Sequence, residues 1–192
     1  MSFNPCSLIM GWMKIVSIVG MAGAGKSEVS RVFERNGYTL IRFGDVTDEE
    51  IRKRGLELNE ANEHKIRFLL REEHGMVAYA KLNLTRIDSA LKSTNVVIDG
   101  LYSWEEYIFL KEHYKDGFCV VAVCASPKTR HARLATRSNR RLTPKEAVSR
   151  DKEEIEDINK GGPIAMADFT IVNESSREEL IKEAERIVSL LK

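Results

Sequence analysis

Cysteine is scarce in this 192-residue chain. Cys6, Cys119 and Cys124 form no C-x-x-C pair and have no histidine at zinc spacing, which argues against a thiolate metal site. The odd count fits a reducing cytoplasm, and Cys119 and Cys124, in or beside the apolar run Phe118 to Val123, read as small core residues. An excess of charge is also missing. Thirty basic against 29 acidic side chains exert no global pull on nucleic acid or anionic lipid, so neither is expected as a partner and any electrostatic function must be local. No apolar run approaches membrane-spanning length. Residues 1–12 lack the charged start and cleavage site of a signal peptide and read as an N-terminal extension ahead of the first strand. His64, His74, His113 and His131 show no metal spacing, and there is no internal repeat. Nothing specifies an oligomeric state.

What is present is GMAGAGKS, Gly20 to Ser27, which fits the phosphate-loop pattern G-x-x-x-x-G-K-[ST] between an apolar run and a helical pattern. Gly20, Gly23 and Gly25, with Ala22 and Ala24 between them, let the backbone curl until successive N–H groups face an anion. The helix that begins near Gly25 adds its positive end. Lys26 brings a point charge to the outer phosphates, and the Ser27 hydroxyl is placed to hold a magnesium ion on two of their oxygens.

The rest of the chain alternates. Strands are expected at Lys14 to Val19, Tyr38 to Phe43, Asn95 to Asp99, Phe118 to Val123 and Phe169 to Val172. Helices are expected between them, with start signals at Thr47 with Glu50, Asn59, Ser103 with Glu106, Ser126 with Pro127, Thr143 with Pro144 and Glu146, and Ser176 with Glu179. Gly37 and Gly75 mark helix ends. Such alternation predicts an α/β fold, a five-stranded parallel sheet with helices on both faces and ligands at the carboxyl ends of the strands.

Asp99 ends a buried-type strand, VVID, opposite the loop; it reads as a second magnesium-directed group, or as the start of a turn with Gly100. No D-x-x-G or N-K-x-D motif is present, since Asn159 and Lys160 are followed by two glycines, so a signalling GTPase is a poor fit. From Lys128 to Arg150 eight basic residues stand against Glu146 alone. Arg130, Arg133 and Arg137 recur at helical spacing and Arg140 and Arg141 follow, as a lid that closes on a transferring phosphoryl group requires. A solvated basic face or an RNA patch is the alternative. Asp45 either accepts a hydroxyl proton or starts a turn with Gly44; Arg52 and Arg54 either bind an acceptor phosphate or pair with Glu49 and Glu50. Trp104 and Tyr107 read as helix-to-sheet packing.

With GMAGAGKS, FGDV at 43–46, VVIDG at 96–100 and the run Ser126 to Arg137, the chain resembles the P-loop nucleotide kinases, adenylate kinase and dephospho-coenzyme A kinase among them, and above all an archaeal adenylate-kinase-related family. The ending ADFTIVNESSREEL, Ala167 to Leu180, is similar to the last strand and helix of dephospho-coenzyme A kinases. The resemblance implies one three-layer domain over residues 13–192, with a helical acceptor-binding insert at about 45–94 and a lid at about 137–150. It implies ATP as donor and Mg2+ as its ion. Lys26, Asp45, Asp99, Arg133 and Arg137 become the expected catalytic residues, and Ser27 and Asp99 the metal ligands. Gly20, Ala22, Gly23, Ala24, Gly25, Lys26, Ser27, Glu28, Arg133 and Asn173 become the nucleotide contacts. The acceptor would be a small nucleotide-like molecule, a mononucleotide or dephospho-coenzyme A. Two departures bear on it: Leu101, Tyr102 and Ser103 replace the F-P-R that follows D-G in adenylate kinases, and Val46 and Thr47 after Asp45 break the D-x-D of dephospho-coenzyme A kinases. The other function compatible with these residues is a regulatory or RNA-associated nucleotide-binding module with slow or no hydrolysis.

Overall fold

A computed structural model describes residues 14–138 and 141–192; the expected extension at 1–12 and Arg140 lie outside them. Five strands, β1 (Ile15–Val19), β2 (Thr39–Arg42), β3 (Val96–Asp99), β4 (Phe118–Cys124) and β5 (Phe169–Val172), form one parallel sheet in the order β2-β3-β1-β4-β5. The helices are α1 (Lys26–Arg35), α2 (Asp45–Lys53), α3 (Glu60–His74), α4 (Ala78–Ala90), α5 (Trp104–Tyr114), α6 (Pro127–Ala135), α7 (Pro144–Glu156), α8 (Gly161–Ala165) and α9 (Arg177–Leu191).

The period of two along a strand sorts β1 between two cores. Ile15 and Val19 pack with α2 to α5 on one face, while Val16 and Ile18 pack with α1 and α9 on the other. This is why the strand sequence is apolar at nearly every position. β1 lies between β3 and β4, so the chain leaves it in one direction and later returns to its other side. The crevice at such a switch point opens above the carboxyl ends of β1 and β3, where Ile18 pairs with Asp99.

Most start signals act as expected. Asn59 accepts from the Asn62 N–H, Ser103 and Thr143 form reciprocal capping boxes with Glu106 and Glu146, and Ser126 accepts from Thr129 with Pro127 in the first turn. Thr47 with Glu50 does not. α2 starts three residues earlier, capped at Gly44, and Thr47 is buried inside it, its hydroxyl sharing a 2.6 Å hydrogen bond with Tyr79 Oη. Burial of two hydroxyls that satisfy each other outweighs the local cap. Trp104 and Tyr107 stack at 5.2 Å, and Tyr107 packs on Phe118, as helix-to-sheet contacts.

Candidate functional site

The loop between β1 and α1 is shaped by its neighbours as much as by any anion. Gly20 has φ 144°, and a Cβ there would lie 2.3 Å from the Val123 carbonyl oxygen of β4. Gly25 has φ 109°, and a Cβ would meet Asn173 Nδ2 at 2.5 Å. Both positions require glycine for backbone sign and for space. Asn173 in turn donates to the Ala24 carbonyl at 2.7 Å, which ties the end of β5 to the loop.

A cavity of about 370 Å³ opens over this loop, within the range of small-molecule sites. Ala22, Gly23, Lys26 and Ser27 line it together with Asp99, Asp48, Arg67, Arg71, Tyr79, Tyr102, Arg137, Arg150, Glu154 and Lys160. Ser27 Oγ donates to Asp99 Oδ2 at 3.0 Å, so the two oxygens expected to share a metal converge. Among the described residues no cluster of three His, Cys, Asp or Glu forms a metal cage. That arrangement suits magnesium, which takes one or two protein oxygens and completes its shell with phosphate and water.

Lys26 Nζ donates to the Met21 carbonyl at 3.1 Å. Desolvation, reinforced by Lys160 and only partly countered by Glu154 and Asp99, brings its pKa down to about 7. Glu154 is the site's least expected member. It is buried, accepts from the Ala22 N–H of the loop at 3.0 Å, and meets Lys160 at 2.9 Å and Arg150 at 3.3 Å. Burial opposes its ionisation, but Lys160, Lys26 and Arg150 outweigh burial and hold its pKa near 2. The pair is unequal: desolvation lowers the Lys160 pKa despite the carboxylate beside it. The cavity therefore needs both charges together, and neither is stable there alone.

The three arginines of the basic run separate. Arg130 is buried, paired with Asp151 at 2.6 and 2.8 Å, and donates to the carbonyls of Ala22 and Ala125 at 3.1 Å each. It braces the loop from behind. Arg133 reaches Asn173 Oδ1 at 3.3 Å and has a buried Nη1 without a partner among the described residues. Arg137 alone of the three borders the cavity, because α6 has ended at Ala135 and helical spacing no longer governs it.

Asp45 and Glu28 stand outside the cavity, and Arg54 takes the second of its two expected roles. Asp45 opens α2 with a half-exposed side chain 3.9 Å from Arg42, outside the cavity lining, where it faces the helix dipole; Asp48 is the α2 acid that lines the cavity. Glu28 pairs with Arg31 and Arg177 at 2.6 Å each, away from the cavity. Arg54 pairs with Glu50 at 2.6 Å, and neither it nor Arg52 lines the cavity.

A family model described as an AAA domain matches residues 16–159. A UPF0200 protein of Thermococcus kodakarensis is 38% identical over 178 residues, which cover 91% of this chain and 96% of that relative. The chain belongs to the UPF0200 family. Solved structures similar to this UPF0200 chain include a gluconokinase from Sinorhizobium meliloti, with TM-score 0.56, 19% identity and coverage of 94% and 96% of the two chains. Shikimate kinase from Bacteroides thetaiotaomicron gives TM-score 0.60, 16% identity and coverage of 92% and 99%. At these identities the likeness is one of fold, and the fold is that of the P-loop kinases.

Glu154, Lys160 and Arg71 of the UPF0200 site went unread in the sequence. For Glu154 a signal existed: Ala147, Glu154 and Ile158 fall on the buried face of α7 and its continuation, and a carboxylate at such a spacing needs a partner. For Lys160 and Arg71 there was none, since each lies in an ordinary polar stretch.

Proposed function

We propose that this protein is an ATP- and magnesium-dependent phosphotransferase that moves the γ-phosphoryl group of ATP to a small nucleotide-like acceptor, a mononucleotide or dephospho-coenzyme A. The observation that carries the reading is the convergence of Lys26, the Ser27–Asp99 pair, Arg137, Arg150 and Lys160 on one cavity. Ser27 and Asp99 would hold magnesium, which when bound neutralises charge on the phosphates. The loop N–H groups and Lys26 orient the triphosphate. An acceptor oxygen, a phosphate oxygen of a mononucleotide or a hydroxyl of dephospho-coenzyme A, bonds to the γ-phosphorus as the bond to ADP breaks; a hydroxyl acceptor passes its proton to Asp48, and a phosphate acceptor has none to lose. Arg137, Arg150 and Lys160 stabilise the charge spread over the moving group and keep water out. In this scheme α2 to α4 form the acceptor insert and residues 137–150 the lid.

A coupled assay for ADP release tests it, run over mononucleotides, dephospho-coenzyme A, gluconate and shikimate, the last two included for the names of the structural neighbours. Acceptor-dependent release with a mononucleotide or dephospho-coenzyme A is expected; release with gluconate or shikimate alone refutes the nucleotide-like acceptor, and release with none refutes the transfer. Arg130 and Arg133 are directed to internal partners, which removes two of the eight basic residues from the face that an RNA-associated module would present.

The depressed Lys26 pKa adds a pH signature. A triphosphate stabilises the ammonium form, so binding takes up close to one proton at about pH 8 and far less at about pH 6, and affinity declines as pH rises past the free-protein value of about 7. Titration calorimetry in buffers of different ionisation enthalpy measures the uptake. Its absence at the higher pH removes Lys26 from the phosphate contacts.

A further inference from the structure

The acceptor end of the cavity has its own construction. Tyr79 and Tyr102 meet edge to face at 5.5 Å and form one wall. Each carries a cation near its ring: the Arg71 guanidinium lies 5.2 Å from the Tyr79 centroid and Lys160 Nζ lies 5.4 Å from the Tyr102 centroid. Lys160 has Glu154 as its counter-ion, and Arg67, one turn before Arg71 on α3, has Glu63 at 3.4 Å. Arg71 differs. No carboxylate pairs with it among the described residues, and its Nε is buried with no hydrogen-bond partner. Glu106 exerts a field on it but gives Oε2 to the N–H groups of Tyr102 and Ser103, and burial pushes its pKa up to about 7, so it is a poor counter-ion.

A guanidinium that lies over an aromatic face and lines a cavity, with its Nε buried and no anion paired with it among the described residues, is completed by a ligand that supplies one. We propose that Arg71, with Arg67 beside it, is the acceptor-anion site, and that the phosphoryl acceptor carries an oxyanion, a phosphate monoester or a carboxylate, which the Arg71 fork grips. This rests on the phosphotransferase reading and names the acceptor group and the side chain that recognises it. Neutral alcohols are excluded as good acceptors, because they leave the guanidinium unpaired. The planar fork suits both oxyanions, while Arg52 and Arg54 on α2 take no part.

The test uses the full chain and an Arg71→Met variant, which keeps an apolar stem against Tyr79. Binding is titrated with the ATP site filled by ADP and magnesium, using AMP against adenosine and gluconate against glucose. Wild type is expected to prefer the anionic member of at least one pair by about 100-fold, and Arg71→Met to abolish that preference while leaving ADP affinity unchanged. Arg71→Lys, which keeps the charge and loses the fork, should fall between. The pair that responds identifies the oxyanion. Equal binding of anionic and neutral members, absence of anion binding by wild type, or an Arg71→Met protein with the preference intact overturns the proposal. If ADP itself fails to bind wild type, the phosphotransferase reading fails first, and the two failures are distinct.

Discussion

Lys26→Met should reduce phosphoryl transfer by about 10²–10³-fold and weaken ATP binding by at least about tenfold, the scale of losing one charged donor aimed at developing negative charge. The fold should not suffer. Burial already penalises the Lys26 ammonium enough to bring its pKa down to about 7, so a methionine of similar length removes a desolvated charge; the Met21 carbonyl loses its donor, and Glu154 loses one of three cations but keeps Lys160 and Arg150. A melting temperature equal to or above that of wild type, together with lost ATP binding by calorimetry, is the expected combination. Retained ATP affinity would refute the phosphate-loop assignment, whereas loss of both affinity and folding would show that Lys26 is structural.

Arg130→Ala should have the opposite profile, a large loss of stability. It leaves Asp151, whose pKa is held below the usual carboxylate value by Arg130 and His131 against the effect of burial, with His131 in place of a bidentate guanidinium, and it removes the donors to the Ala22 and Ala125 carbonyls. Breaking a buried pair from one side costs about 3–5 kcal/mol. For a chain of this length that corresponds to a fall in melting temperature of roughly 6–20 °C. The double change Arg130→Met with Asp151→Leu should recover much of the loss, because no charge is then left alone. A single variant that melts with wild type would show that Arg130 does not brace the loop. Acid should weaken the same region. Glu154 titrates near 2 in the folded protein against 4.5 when free, so its contribution is complete above 4.5 and is lost as pH falls toward 2.

Both predictions concern one loop, reached from two sides. Ala22 has its N–H bound by Glu154 of α7 and its carbonyl by Arg130 of α6, which is itself held by Asp151 of α7. Through Glu154, α7 thus controls a residue 132 positions earlier in the chain, by charges that read in the sequence as ordinary helix surface.

By itself the sequence determined the strands, the phosphate loop, most helix starts and the Ser27–Asp99 partnership. These depend on local signals: the period of two, the glycine spacing, capping residues within three positions, and an acid closing a β-branched run. Asp99 was legible because parallel register brings the ends of neighbouring strands level. Only the tertiary structure decided which charges share the cavity. Helical spacing placed Arg130, Arg133 and Arg137 on one side, but a face says nothing of what covers it: Asp151 took the first, Asn173 the second, and the cavity received the third. It likewise put Asp48 in the cavity lining and left Asp45 outside it, drew Glu154 and Lys160 inward as a pair, and set Arg71 over Tyr79 with no carboxylate paired to it among the described residues. The physical reason is that an ionic side chain is placed by partners distant in sequence, whose position no local pattern encodes.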